Sequence, residues 1–158
     1  MRTILLCLGL MLFAGGANAQ HHHGGGTPEA FTATPAFAPD GTLWLVRAMT
    51  DRIVVSKSTD LGRTFSDPVP VTPDAMKLDW GPDARPHIAV GAKGELIVAF
   101  AIFQDQRFNG RAFFSRSTDH GASFSRPQPL TPDTASQRFE TVAIDPAGQR
   151  FYRLLMLP

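Results

Sequence analysis

The residues best suited to chemistry gather between 73 and 85. This segment holds Asp74, Lys77, Asp79, Trp80, Asp83 and Arg85, bounded by Pro73 and interrupted by Gly81 and Pro82. Asp79 beside Trp80 joins a carboxylate acceptor to a flat apolar ring, the combination that lets a protein take a sugar by its hydroxyls and its C–H face. The other reading is a solvated loop with Trp80 folded onto a neighbouring sheet. A second candidate is His21-His22-His23, followed by Gly24-Gly25-Gly26. A free amine followed by His at the third position chelates Cu²⁺ or Ni²⁺, but an N-terminal Gln20 tends to cyclise and lose that amine. The run reads better as a flexible polar leader, residues 20–30. The sequence calls for no metal and no cofactor.

Two further aspartates belong to a repeated turn. Ser58-Thr59-Asp60-Leu61-Gly62-Arg63-Thr64-Phe65 and Ser117-Thr118-Asp119-His120-Gly121-Ala122-Ser123-Phe124 share the pattern S-x-D-x-G-x-[ST]-F. Asp60 and Asp119 can accept hydrogen bonds from turn amides. Gly62 and Gly121 can take a positive φ. Ser58 and Thr64 can tie the turn to neighbouring backbone, and Phe65 and Phe124 can tuck into the core beneath it. These residue types stabilise a hairpin, so a structural role outweighs a catalytic one.

The turns sit in longer repeats. The stretch from Arg52 to Asp74 aligns without a gap with that from Arg111 to Asp133. Ahead of each lies a short apolar run, a Gly turn and a second run: Ala36 to Trp44, Ile88 to Leu96 and, a third time, Val142 to Arg150. That is the signature of a β-hairpin. The first repeat predicts strands near 32–38, 43–49, 52–59 and 65–72. The second predicts 85–91, 95–103, 111–118 and 124–131. Four antiparallel strands per repeat, recurring every roughly 50–60 residues, read as propeller blades. The expected fold is all-β, with a blade over 31–72, a second over 85–131 and an incomplete one over 138–158.

The repeated turn resembles the Asp-box, or BNR repeat, of bacterial sialidases of the exo-α-sialidase family. The resemblance rests on both copies and spans about residues 31–149. It implies a propeller with the Asp-box turns on one face and the active site on the other, where segments 73–85, 104–111 and 132–138 would lie. It implies glycoside hydrolysis by a Tyr nucleophile paired with a Glu, with an Asp as acid/base. Asp79 or Asp105 would then be the acid and Glu140 the glutamate near an inner strand; the one tyrosine is Tyr152. It also implies an arginine cluster gripping the substrate carboxylate. Arg85 and Arg138 each enter an inner strand, and with Trp80 they are the substrate-binding candidates. The family's Phe-Arg-Ile-Pro motif is replaced by Ala84-Arg85-Pro86-His87. A non-catalytic module that binds glycan or protein stands as the alternative.

Composition bounds the partners. Arg2, the apolar run from Ile4 to Phe13 and Ala17-Asn18-Ala19 form a signal peptide with cleavage after Ala19, so the product is expected to be secreted or periplasmic. The run is too short to span a bilayer. Cleavage removes one Arg and leaves 14 basic against 14 acidic residues. That balance offers nothing to nucleic acid or to an anionic membrane. It also removes Cys7, the one cysteine, so the exported chain folds without disulfides. A glycan is the expected ligand. Exposed blade edges are expected to drive self-association. The hairpin pattern breaks after Gly148, which suggests a longer propeller gene cut by a frameshift or premature stop.

Overall fold

The computed structural model describes residues 33–79, 81, 84–107, 109–132, 135–136, 140–144 and 151–155. The predicted signal peptide and leader, Trp80 and Arg138 lie outside these residues. Every element among these residues is a strand. The first sheet runs β1 (Thr34–Phe37), β2 (Leu43–Met49), β3 (Arg52–Ser58) and β4 (Val69–Pro70), each antiparallel to the next. The second sheet holds β5 (Leu78–Asp79), β6 (His87–Val90), β7 (Leu96–Phe103), β8 (Gly110–Ser117) and β9 (Gln128–Pro129). A final hairpin pairs β10 (Glu140–Ile144) with β11 (Phe151–Leu155).

The first two hairpins share one register, and the connection of the third is one residue longer. Ala36 faces Trp44, Ala89 faces Ile97 and Ala143 faces Tyr152. Among the inner strands, β6 packs against both β1 and β10. The outer strands are shorter than their apolar pattern predicts. Over 65–72 and 124–131 only Val69–Pro70 and Gln128–Pro129 pair. Pro68, Pro70, Pro127 and Pro129 carry no N–H for the ladder, which confines these segments to the sheet edge.

The core forms where the two large sheets meet. Alternation along β2 and β3 sends Trp44, Val46, Ala48, Ile53 and Val55 inward. From the second sheet come Leu78, Ile88, Leu96, Val98 and Phe100. The Phe100 and Phe113 rings stack at 6.3 Å between centroids, 18° from parallel. Burying each such large side chain contributes about 1.5–3 kcal/mol, and a favourable ring pair adds about 0.5–1.5 kcal/mol. Val71 closes the first sheet: its N–H donates to Ile53 O (2.8 Å), while the hydroxyl of Thr72 accepts from Ile53 N–H (3.0 Å).

Strand β5 departs from the sequence reading, which treats all of 73–85 as a connection. β7 has eight residues and β6 only four. The last part of β7 therefore offers an unpaired edge, and Leu78 and Asp79 pair there with Ile102 and Ala101. Leu78 is buried in the core, which fixes the short strand in place.

Candidate functional site

Each repeated turn is closed by its own side chains. Ser58 Oγ donates to Asp60 Oδ1 (2.7 Å) and accepts from the Gly62 N–H (2.8 Å). Asp60 accepts in turn from the Thr64 N–H (2.9 Å) and from Thr64 Oγ1 (2.6 Å). In the second copy Ser117 Oγ donates to Asp119 Oδ1 (2.7 Å) and accepts from the Gly121 N–H (2.9 Å). The Ser123 N–H (3.0 Å) and hydroxyl complete that set on Asp119. Donation from the Thr64 hydroxyl, the Thr64 amide and the Ser58 hydroxyl brings the Asp60 carboxyl down to about 2. The Ser123 and Ser117 hydroxyls, then the Ser123 amide, do the same for Asp119, also to about 2. Carboxyls held this way act as acceptors throughout the neutral range. The chain turns through two successive left-handed residues in each copy, Leu61 (φ 61°) with Gly62 (φ 84°) and His120 (φ 56°) with Gly121 (φ 77°).

These turns share an end with the β1–β2 and β6–β7 turns. His120 lies against Gly94 in the β6–β7 turn. Its charge also adds a small pull on Asp40, whose carboxyl is lowered chiefly by the Thr42 amide.

The opposite end carries the β2–β3 turn, the β7–β8 loop and the segments that join the sheets. Asp79 stands here on β5, only 5% exposed. It faces Ala101, and His87 at the start of β6 faces Ala99, so both lie along one edge of β7. Because Ala99 and Ala101 are two apart, Asp79 and His87 share a face of the sheet, the one turned away from the first blade. Arg85 is exposed two residues before His87. Burial lowers the His87 pKa, and the Arg85 charge lowers it further, so its imidazole is neutral at neutral pH. β10 begins at Glu140 and packs against β6. β6 and β10 both run from this loop end towards their turns, so Glu140 opens the strand beside His87.

Asp105 sits one strand further out and has a different task. Its Oδ1 accepts from the Arg107 N–H (2.8 Å) and the Asn109 N–H (3.2 Å), and its Oδ2 accepts from Asn109 Nδ2 (2.7 Å). The Asn109 side chain, then the loop amides, hold this carboxyl below its usual value. Asp105 thus staples the β7–β8 loop in the ionised form, as an acceptor. Its neighbour Gln104 closes the same loop, donating from Nε2 to Gly110 O (3.0 Å).

Of the sequence candidates, the structure brings Asp79, Arg85 and the start of β10 to one end of the inner strands, and leaves Asp105 on a separate loop. His87 joins the first group without having been singled out as a site residue. Its signal was the alternation of Met76 and Leu78 with Lys77 and Asp79. Over two paired residues the pattern is too short to mark a strand by itself; the pairing with β7 brings Asp79 back to the edge where β6 begins. Among the described residues no three His, Cys, Asp or Glu side chains group to hold a metal ion.

No family profile and no curated protein matches the sequence. Solved structures do. A protein of unknown function from Dyadobacter fermentans superposes with a TM-score of 0.55 at 17% identity, over 73% of this chain and 41% of that one. A mutant of NanB sialidase from Streptococcus pneumoniae gives 0.50 at 12% identity, over 71% of this chain and 16% of that one. Hadza microbial sialidase Hz136 gives 0.49 at 16% identity, over 74% and 30%. The chain therefore spans less than half the length of each of these structures. With the antiparallel sheets described above, the likeness identifies the fold: the sheets of this chain are blades of a sialidase-like β-propeller.

Proposed function

We propose that this chain is part of an exported, sialidase-like Asp-box propeller whose loop end binds an acidic glycan. Arg85 is the anion-binding group, and Asp79 and His87 take sugar hydroxyls. The observation that carries this reading is the placement of buried Asp79 on the same edge and face as His87, with exposed Arg85 beside them. A guanidinium fork suits a sugar carboxylate. A neutral imidazole and a carboxylate supply the mixed donor and acceptor set that hydroxyls need. Trp80, next in sequence to Asp79, is the stacking ring the sequence offers.

Hydrolysis of the exo-α-sialidase type is the second reading. It is favoured by Asp79, a buried carboxyl at the loop end, and by Glu140 at the head of the next inner strand. Against it stands Tyr152, which lies within β11 rather than on a loop. Binding without hydrolysis is therefore the reading we adopt.

Calorimetric titration of the exported chain with sialyllactose and with lactose tests it. We expect binding of the acidic sugar alone, weakened about ten- to a hundredfold by Arg85→Ala, the loss typical of a charge-assisted contact. Equal binding of both sugars, or of neither, would refute the anion-binding role. Release of the fluorophore from a fluorogenic sialoside, abolished by Asp79→Asn, would establish hydrolysis in its place.

A further inference from the structure

The exported chain keeps one asparagine, Asn109, and a glycine follows it. The pair closes the β7–β8 loop, at the end of the sheets where the glycan site is proposed. An asparagine before a glycine is a reactive amide. The glycine nitrogen can reach the side-chain carbonyl carbon by closing a five-membered ring, and no Cβ crowds its approach.

Asn109 is exposed, so water reaches its side chain. Gly110 is buried and opens β8 opposite Phe103. The Gln104 N–H donates to Asn109 O (2.7 Å), which makes these two the hydrogen-bonded pair and turns the next N–H, that of Gly110, away from β7. The Gly110 N–H donates instead to Ser136 Oγ (3.0 Å), a hydroxyl on the exposed connection after β9. The nitrogen that would attack is therefore held by a side chain from another segment rather than by the ladder.

The other bonds of Asn109 run to Asp105. Asn109 Nδ2 donates to Asp105 Oδ2 (2.7 Å), and the Asn109 N–H donates to Asp105 Oδ1 (3.2 Å). The Asn109 side chain, then the loop amides, keep Asp105 ionised. The amide thus sits against a carboxylate that it satisfies as a donor. An ionised carboxyl in its place has no proton to give and meets Asp105 as a like charge.

We propose that Asn109 is a deamidation site whose conversion releases the β7–β8 loop, with Ser136 and Asp105 as the two restraints on its rate. The Gly110 nitrogen forms a bond to Asn109 Cγ, and its proton passes through solvent to Nδ2. The Cγ–Nδ2 bond breaks and ammonia leaves. Water then opens the cyclic imide at either carbonyl, leaving aspartate or isoaspartate at that position. Water is the co-reactant and nothing is oxidised. Either product exchanges the Nδ2 donor for a carboxylate beside Asp105, and isoaspartate also lengthens the main chain by one carbon ahead of β8. The site stands independently of the glycan reading.

Peptide mapping by mass spectrometry, on the exported chain aged in mildly alkaline buffer, tests it. We expect the mass gain of deamidation at Asn109 in the folded chain, as both aspartate and isoaspartate. Ser136→Ala and Asp105→Ala should each speed the conversion about two- to tenfold, the factor that one hydrogen bond supports. Ser136 lies outside the β7–β8 loop, so its variant stays informative even if Asp105→Ala loosens that loop. Amide hydrogen exchange is the second readout. The Gln104 N–H should exchange faster in the aged chain and in Asn109→Asp than in the fresh chain. A folded chain that stays unmodified while a urea-unfolded control converts would overturn the site. Unchanged rates in both variants would overturn the restraints, and unchanged exchange at Gln104 in Asn109→Asp would overturn release of the loop.

Discussion

The indole of Trp44, on β2 of the first sheet, lies directly against the backbone of Gly121, in the second repeated turn. Lys57 Nζ sits on the ring's own sheet, 5.7 Å from the ring centroid. One residue thus links two blades, and the glycine opposite it serves two purposes. It takes the positive φ of 77° that the turn needs, and it leaves room for the ring.

Gly121→Ala should therefore be much more harmful than Gly62→Ala, although the two turns match in sequence. Both alanines would be strained at positive φ. Only at Gly121 does the new methyl also meet a buried ring, at 2.5 Å. We expect a loss of about 2–4 kcal/mol for Gly121→Ala and about 1–2 kcal/mol for Gly62→Ala in urea unfolding. Equal losses would show that the Trp44 contact is unimportant.

Trp44→Ala should open a cavity between the blades and cost about 3–5 kcal/mol. Trp44→Phe should recover part of this. The same unfolding experiment reads both, and the m-value should stay constant if the folded state is otherwise intact.

Acid should weaken the two turns together. The Asp60 and Asp119 carboxyls are lowered in the folded chain, to about 2. Their contribution is present above the unfolded carboxyl pKa and is lost as pH falls through the folded values. The melting temperature should decline between about pH 4 and pH 2. In Asp60→Asn/Asp119→Asn that decline should be shallower, from a lower plateau at neutral pH. An unchanged pH slope would mean that the turns do not set acid stability.

His87 should act in a higher window. Its folded pKa lies below the ordinary 6.5 because of burial and Arg85. The unfolded chain then binds the proton first, so stability falls as pH drops below 6.5 and stops falling once the folded imidazole is also charged. His87→Gln should remove this step from the melting curve, and titration of the His87 ring proton by NMR should give the lowered value directly.

Leu78→Ala should release β5. The substitution removes a buried side chain and should cost about 2–4 kcal/mol. Amide exchange at Ile102 and Ala101 should quicken more than at Val98, because β5 pairs only with the end of β7. The sialyllactose binding proposed above should weaken with it, since Asp79 loses its anchor.

Much of this architecture was legible in the residues. Arg52 to Asp74 and Arg111 to Asp133 marked two copies of one unit, and the strands β2, β3, β7 and β8 fall within a residue or so of their apolar runs. The outer strands were over-read because apolar content suggested pairing where Pro70 and Pro129 could not donate. β5 was missed because two residues carry too little pattern to stand out, and because its cause lies elsewhere, in the extra length of β7. The site was half legible. Asp79 and Arg85 were visible as residue types in one segment, but the pairing of Asp79 beside His87 depends on a partner strand that comes later in the chain. The fit of Trp44 to Gly121 is likewise a relation between blades, and no local spacing encodes it.

The shared core between the two large sheets bears on how the molecule comes apart. Trp44, Val46 and Val55 join Val98 and Phe100, so each sheet supplies about half of one apolar cluster. The blades are thus a single cooperative unit rather than independent beads. A cut between Val71 and Leu78 would separate two halves that each expose their share of this cluster. Neither half should stay folded alone, and protease resistance should vanish from both at the same denaturant concentration.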